Sequence, residues 1–256
     1  MHSARSTLLF APVILLLAAC ESTAPHPMQR INLSATIGSA ALRSSLSGPF
    51  ADVIVSGTGG TVRITSAQLQ LSHIKLASGD VTCTDDDANE ADDANEQAGT
   101  SETEADDADE AECPPVRVEP VQVDLPLDGT TKVILDALVP AGTYRGLHAK
   151  LEGVKVVGVF TDAGATDHAF TFTSDVHAPI MLDFATPVTV DAHTTNLTID
   201  VDVGSWFKDA TGAVIDPTNS ANQEAIEHAI RASLRAFRDD NHDGEDDHEE
   251  EGGEGH

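Results

Sequence analysis

Leu197-Thr198-Ile199-Asp200-Val201-Asp202-Val203 alternates aliphatic and polar residues without a break. A period of two places Leu197, Ile199, Val201 and Val203 on one face of an extended chain and Thr198, Asp200 and Asp202 on the other, whereas a helix would scatter them around its axis. The segment reads as a half-buried strand. The pattern recurs through the preceding sequence: Val62, Ile64, Leu69 and Leu71 alternate with Arg63, Thr65, Gln68 and Gln70, and Ile74 and Leu76 follow after one phase change. Val116, Val118, Val121, Val123 and Leu125 repeat it, as do Val133-Ile134-Leu135, then Leu147, Ala149 and Leu151, and the run from Val154 to Phe160. Gly57-Thr58-Gly59-Gly60 reads as a hairpin turn. Many such strands separated by Gly, Pro and Asp turns predict a mainly β fold, an antiparallel β-sandwich, over residues 31–218. With one Trp, one Tyr and eight Phe, its core is built mainly from Val, Ile and Leu.

One C-terminal α-helix is predicted over 219–238, packed on this domain. Ser220 and Gln223 have the spacing of a capping box, and Ile226, Ile230, Leu234 and Phe237 form an apolar stripe. Glu224 and Glu227 come early and Arg231, Arg235 and Arg238 late, the order that complements a helix dipole.

The N-terminus carries an address. Arg5 precedes a short apolar run, Leu8 to Leu17, that ends in Leu17-Ala18-Ala19-Cys20. The run is too short to span a bilayer, and small residues precede the cysteine as signal processing requires. Residues 1–19 therefore read as a lipoprotein signal peptide, Cys20 as the lipidation site, and 20–30, with Pro25 and Pro27, as a tether. The expected location is the bacterial cell envelope, anchored to the membrane through the lipid without crossing it. Glu21 follows the cysteine where inner-membrane retention favours Asp, which points to the outer membrane.

The formal net charge of −29 is concentrated. Residues 84–112 hold 14 Asp and Glu and residues 239–256 hold 10, with no Lys or Arg in either, so the rest of the chain has 19 acids against 14 bases. Such a chain repels phosphates, which excludes nucleic acid; cations, and possible contacts with another envelope protein, fit better. Segment 84–112 has no aliphatic residue larger than Ala and reads as a disordered acidic insertion. With Cys20 lipidated, Cys83 and Cys113 remain as a pair flanking it, and an oxidising compartment makes a disulfide the default reading. A crosslink closing a loop of about thirty residues stabilises by roughly 3–4 kcal/mol in the chain-entropy view.

Two metal readings and one blander alternative come from the remaining motifs. In the tail 239–256, Asp239, Asn241 and Asp243 fall at the first, third and fifth positions of a calcium loop, Gly244 at the sixth, Glu245 and Asp247 at the seventh and ninth, and Glu250 at the twelfth. Asp246 stands where such loops carry an aliphatic residue, and Glu251-Gly252-Gly253 does not continue as a helix. The segment is thus either a single calcium loop, with affinity near the millimolar order of extracellular modules, or a disordered acidic tail. The second metal reading is a copper or zinc site in the body, drawn from Asp175-x-His177, Asp191-x-His193, His148 and His168. For catalysis, G-x-S-x-G, H-E-x-x-H and phosphate-loop patterns are all missing, and no enzyme is expected.

Val123-Asp124-Leu125, Leu138-Val139-Pro140-Ala141-Gly142-Thr143-Tyr144-Arg145-Gly146-Leu147 and Leu182-Asp183-Phe184 resemble a family of uncharacterised bacterial lipoprotein β-domains, a domain of unknown function. The resemblance spans about residues 60–205 and implies an immunoglobulin- or transthyretin-like sandwich in which Pro-Ala-Gly-Thr-Tyr starts a strand. The acidic insertion and the C-terminal region depart from it. The same Pro-Ala-Gly-Thr-Tyr segment, with Leu151-Glu152-Gly153-Val154, is similar to periplasmic copper-binding β-proteins of methanobactin systems. Neither resemblance transfers a ligand set.

Overall fold

A computed structural model describes residues 27–38, 52–79, 116–193 and 195–248. Cys20, the signal peptide, Cys83, Cys113, the insertion 84–112 and Glu250 lie outside the described residues.

The alternating segments form two sheets. Strands β1 (Met28–Ile37), β5 (Lys132–Pro140), β9 (Thr195–Val201) and β10 (Leu234–Arg238) make one, in the order β10-β9-β1-β5. The other is built on a long antiparallel ribbon of β3 (Gly60–Ser78) and β6 (Gly142–Asp162). Each ribbon strand exceeds the usual strand length and is shared by two shorter partners along its outer edge. β2 (Val53–Gly57) and β4 (Val121–Asp124) pair with β3, while β7 (Asp167–Ser174) and β8 (Ala178–Val190) pair with β6. Aliphatic faces of both sheets meet in one core, which includes Leu33, Ile64, Leu71, Leu151, Ile199 and Val201. The fold is mainly β, two packed sheets with one short helix, as the alternation predicts.

Local chemistry explains the corners. Gly57 and Gly60 close β2 onto β3 around Thr58-Gly59, and Gly59 takes φ 99°, a conformation that costs other residues more. β6 starts at Gly142 within Pro-Ala-Gly-Thr-Tyr, and the buried Tyr144 hydroxyl reaches back to the Pro140 carbonyl at 2.6 Å, tying the crossing from one sheet to the other. Midway along β6, a Cβ on Gly158 would lie 2.3 Å from the Arg63 carbonyl oxygen and 2.9 Å from the Phe170 ring, so the bare backbone lets that ring lie across the strand.

Four expectations need correction. The sandwich is not wholly antiparallel: β1 runs parallel to β9, with Ile31 opposite Thr195. Pairing over that separation leaves no local signature. Strand β9 is buried on both faces, not one, because Asn196, Thr198 and Asp200 are covered and hydrogen-bonded. The helix α1 occupies only Gln223–Ala232; after a turn at Ser233 the chain becomes β10, so Leu234, Arg235, Phe237 and Arg238 belong to a strand. Finally, the capping box does not form. Asn219 caps a short 3-10 turn, Ser220–Asn222, by accepting from the Ala221 amide, and Gln223 donates forward to Glu227.

The helix buries Ile226 and Ile230 beside the irregular segment 203–215, whose Trp206 and Phe207 are fully buried. Phe207 meets Phe170 edge-on at 5.6 Å, and Trp206 Nε1 donates to the Ser233 hydroxyl at 2.8 Å. These contacts close one end of the sandwich and fix where β10 starts.

Candidate functional site: the loop after β10

β10 lies antiparallel to β9, and its last pair is Arg238 with Leu197. The next residue, Asp239, is the first candidate ligand of the loop, and it is fully buried. Its amide donates to the Asn196 carbonyl at 2.9 Å, and its carbonyl accepts from Asn196 Nδ2 at 2.6 Å. Asn196 is itself fixed, taking the Ser34 hydroxyl on Oδ1 at 2.9 Å and giving its amide to Asp240 Oδ1 at 2.8 Å. The polar face of β9 is thus a cradle for the chain leaving β10.

The Asp239 carboxylate points into this loop. Oδ2 accepts from the Thr198 hydroxyl at 3.0 Å and from the Gly244 amide at 3.0 Å. Oδ1 is buried with no hydrogen-bond partner. An ionised oxygen left so is costly unless a cation or proton meets it. Burial pushes the Asp239 carboxyl above its ordinary range; the charges of Asp243 and Asp247 push the same way, against the two hydrogen bonds.

Successive side chains then fold the backbone that follows Asp239. Asn241 Oδ1 accepts from the Asp243 amide at 2.9 Å, and Asp243 Oδ1 accepts from the Glu245 amide at 2.8 Å. His242 and Gly244 have φ 60° and 79°, so the turn predicted at glycine extends over two left-handed residues. Asp247 Oδ2 accepts from the Asp240 amide at 2.6 Å. Residues 239–248 therefore form a hydrogen-bonded loop seated on β9. Among the described residues no three His, Cys, Asp or Glu side chains are grouped closely enough to hold an ion. The loop offers the Asp239 and Asp243 carboxylates, the Asn241 carboxamide and the Glu245 carbonyl, a set of hard oxygens that fits Ca²⁺ in kind.

The histidines proposed for copper or zinc are dispersed. His168 sits opposite Phe160 and 3.1 Å from Asp162; His193 lies 3.0 Å from Asp191; His177 turns from Asp175 to Glu152. His148 faces Lys75 and Met181 in register. Phe160 is eight residues from Glu152 along β6, about 26 Å at the rise of an extended strand, so His168 and His177 belong to different places.

One cluster has no sequence signature. At the β3 bulge, Ser72 donates to Glu152 Oε1 at 2.5 Å, Lys150 Nζ lies 3.2 Å from the same oxygen, and His177 Nδ1 meets Oε2. The hydrogen bonds from Ser72 and then His177 bring the Glu152 carboxyl down to about 2. Ser72 is buried, and its bond to Glu152 pins the bulge.

Two clefts adjoin β10. One, of about 520 Å³, lies between β8 and β10 and is lined by Asp183, Asp200, Arg235, Phe237 and Glu245. The other, of about 630 Å³, includes Asp202, Lys208, Asp209 and Ser233. Among the described residues, neither is lined by a His or Cys. Compared with known proteins, the chain matches no family model, no curated protein and no solved structure.

Proposed function

We propose that this is a lipid-anchored protein of the bacterial envelope, sited at the outer membrane, with a non-catalytic binding or surface-structural role, and that the loop after β10 takes up calcium. The observation that carries the calcium reading is the buried Asp239 carboxylate, with one oxygen on the Gly244 amide and the other unpartnered, at the head of Asp-x-Asn-x-Asp-Gly. A hard divalent cation would offset such an oxygen, as a proton would, and would in addition take the neutral oxygens beside it as ligands. The lipid anchor rests on Leu17-Ala18-Ala19-Cys20 after a short apolar run. The non-catalytic reading rests on the sequence, in which G-x-S-x-G, H-E-x-x-H and phosphate-loop patterns are missing.

The test is calorimetry on the full chain in detergent, stripped of metal and titrated separately with Ca²⁺, Mg²⁺, Zn²⁺ and Cu²⁺, beside an Asp239→Ala/Asp243→Ala variant. One saturable Ca²⁺ site of roughly millimolar affinity, preferred over Mg²⁺ and absent from the variant, is the expected result. Stoichiometric Cu²⁺ or Zn²⁺ binding that survives both substitutions would overturn the calcium reading and move the site to the histidines of the sandwich.

A further inference from the structure

Arg238 is the last residue of β10 and directly precedes the loop. Its Nε lies 3.5 Å from Asp240 Oδ2 and 3.9 Å from Asp247 Oδ2, and its side chain is only 24% exposed. Both acids are held by backbone amides as well: Asp240 Oδ1 takes the Asn196 N–H, and Asp247 Oδ2 takes the Asp240 N–H. The two acids are thus fixed, and Arg238 stands beside them as a partly buried ion-pair charge whose Nε makes no hydrogen bond, unlike an ion pair on an open surface, where little is gained. Asp247 also falls at the ninth position of the candidate calcium loop. Asp239, at the head of the same loop, is fully buried with Oδ1 unpartnered, an oxygen that a cation or a proton would satisfy.

We propose that Arg238 is a tethered counter-cation: it holds Asp247 in the metal-free loop, takes part of the charge role that calcium would fill, and thereby sets the calcium affinity low. This inference rests on the calcium reading above. A fixed positive charge beside an incoming divalent ion opposes binding through space, and releasing Asp247 from Arg238 opposes it again. Removing the charge tightens calcium by roughly three- to thirtyfold at moderate ionic strength. A residue that merely braced the loop would act in the opposite direction, since its loss would weaken both the metal-free fold and the metal site.

Calcium titration calorimetry of the full chain at fixed ionic strength tests this on wild type, Arg238→Gln, Asp247→Asn and the double variant, with melting in EDTA as a second readout. The expected pattern is a lower Kd for Arg238→Gln together with a lower Tm in EDTA, and a larger loss of affinity from Asp247→Asn in the Arg238→Gln background than in wild type. If Arg238→Gln does not fold, Arg238→Met, which keeps the aliphatic stem, provides the same comparison. Calcium binding in wild type that is unchanged or weakened by removing the charge overturns this inference alone. Absence of calcium binding from both wild type and the charge-free variant overturns the calcium reading and this inference with it.

Discussion

Glu152 shows how the fold sets the state of one side chain. Ser72, His177 and Lys150 surround its carboxylate and bring the carboxyl down to about 2, below the ordinary carboxylate range. A lowered carboxyl stabilises the folded state at pH above its unfolded value, near 4.5, and that contribution is lost as pH falls from there towards 2. Melting followed across this window is expected to fall more steeply for wild type than for Glu152→Gln, with the two curves converging in slope above it. Parallel curves would show that the carboxylate is not held ionised by its neighbours. None of this is legible in the sequence, because Ser72 and His177 are 80 and 25 positions away from Glu152 and share no motif with it. Asp239 differs: its place at the head of Asp-x-Asn-x-Asp-Gly is visible in the chain, although its burial depends on β9.

At the scale of elements, the passage from α1 to β10 turns on Ser233. Its hydroxyl accepts from Trp206 Nε1 and donates to the Ile230 carbonyl at 2.7 Å, so one side chain closes the helix and satisfies a fully buried indole. Ser233→Ala removes the acceptor and leaves that N–H without its partner, an expected loss of about 1–3 kcal/mol in denaturant unfolding. A change below about 0.5 kcal/mol would mean that water replaces the hydroxyl. The stripe Ile226, Ile230, Leu234 and Phe237 suggested one continuous helix because its spacing fits a helix throughout. Leu234 and Ala236, however, are also two apart, and both are buried in the strand. A short apolar run satisfies either period, and pairing with β9 decides between them. The longer alternations in β3, β6 and β9 left no such ambiguity, and those strands were legible.

Over the whole molecule, alternation reveals which faces are apolar but not which strands become neighbours. The two-sheet fold followed from the first, while the parallel β1–β9 pair depended on the second. That pair matters for the loop, because β9 is flanked by β1 and β10 and carries the residues that hold Asp239. An ion in the loop would therefore be linked to the sheet that unfolds with the core, not to a fraying end. At tenfold excess over Kd, binding to the folded state alone adds about 1.4 kcal/mol, or an upward Tm shift of about 3–5 °C for a chain of this size. Screening must be separated from binding, since a net charge of −29 means that any divalent cation relieves repulsion between acids. Melting in Ca²⁺ is therefore compared with Mg²⁺ at equal ionic strength, in wild type and in Asp239→Ala/Asp243→Ala. Site binding predicts a calcium-selective shift that the variant lacks; equal shifts with both ions, retained in the variant, would reduce the effect to the screening of an acidic surface.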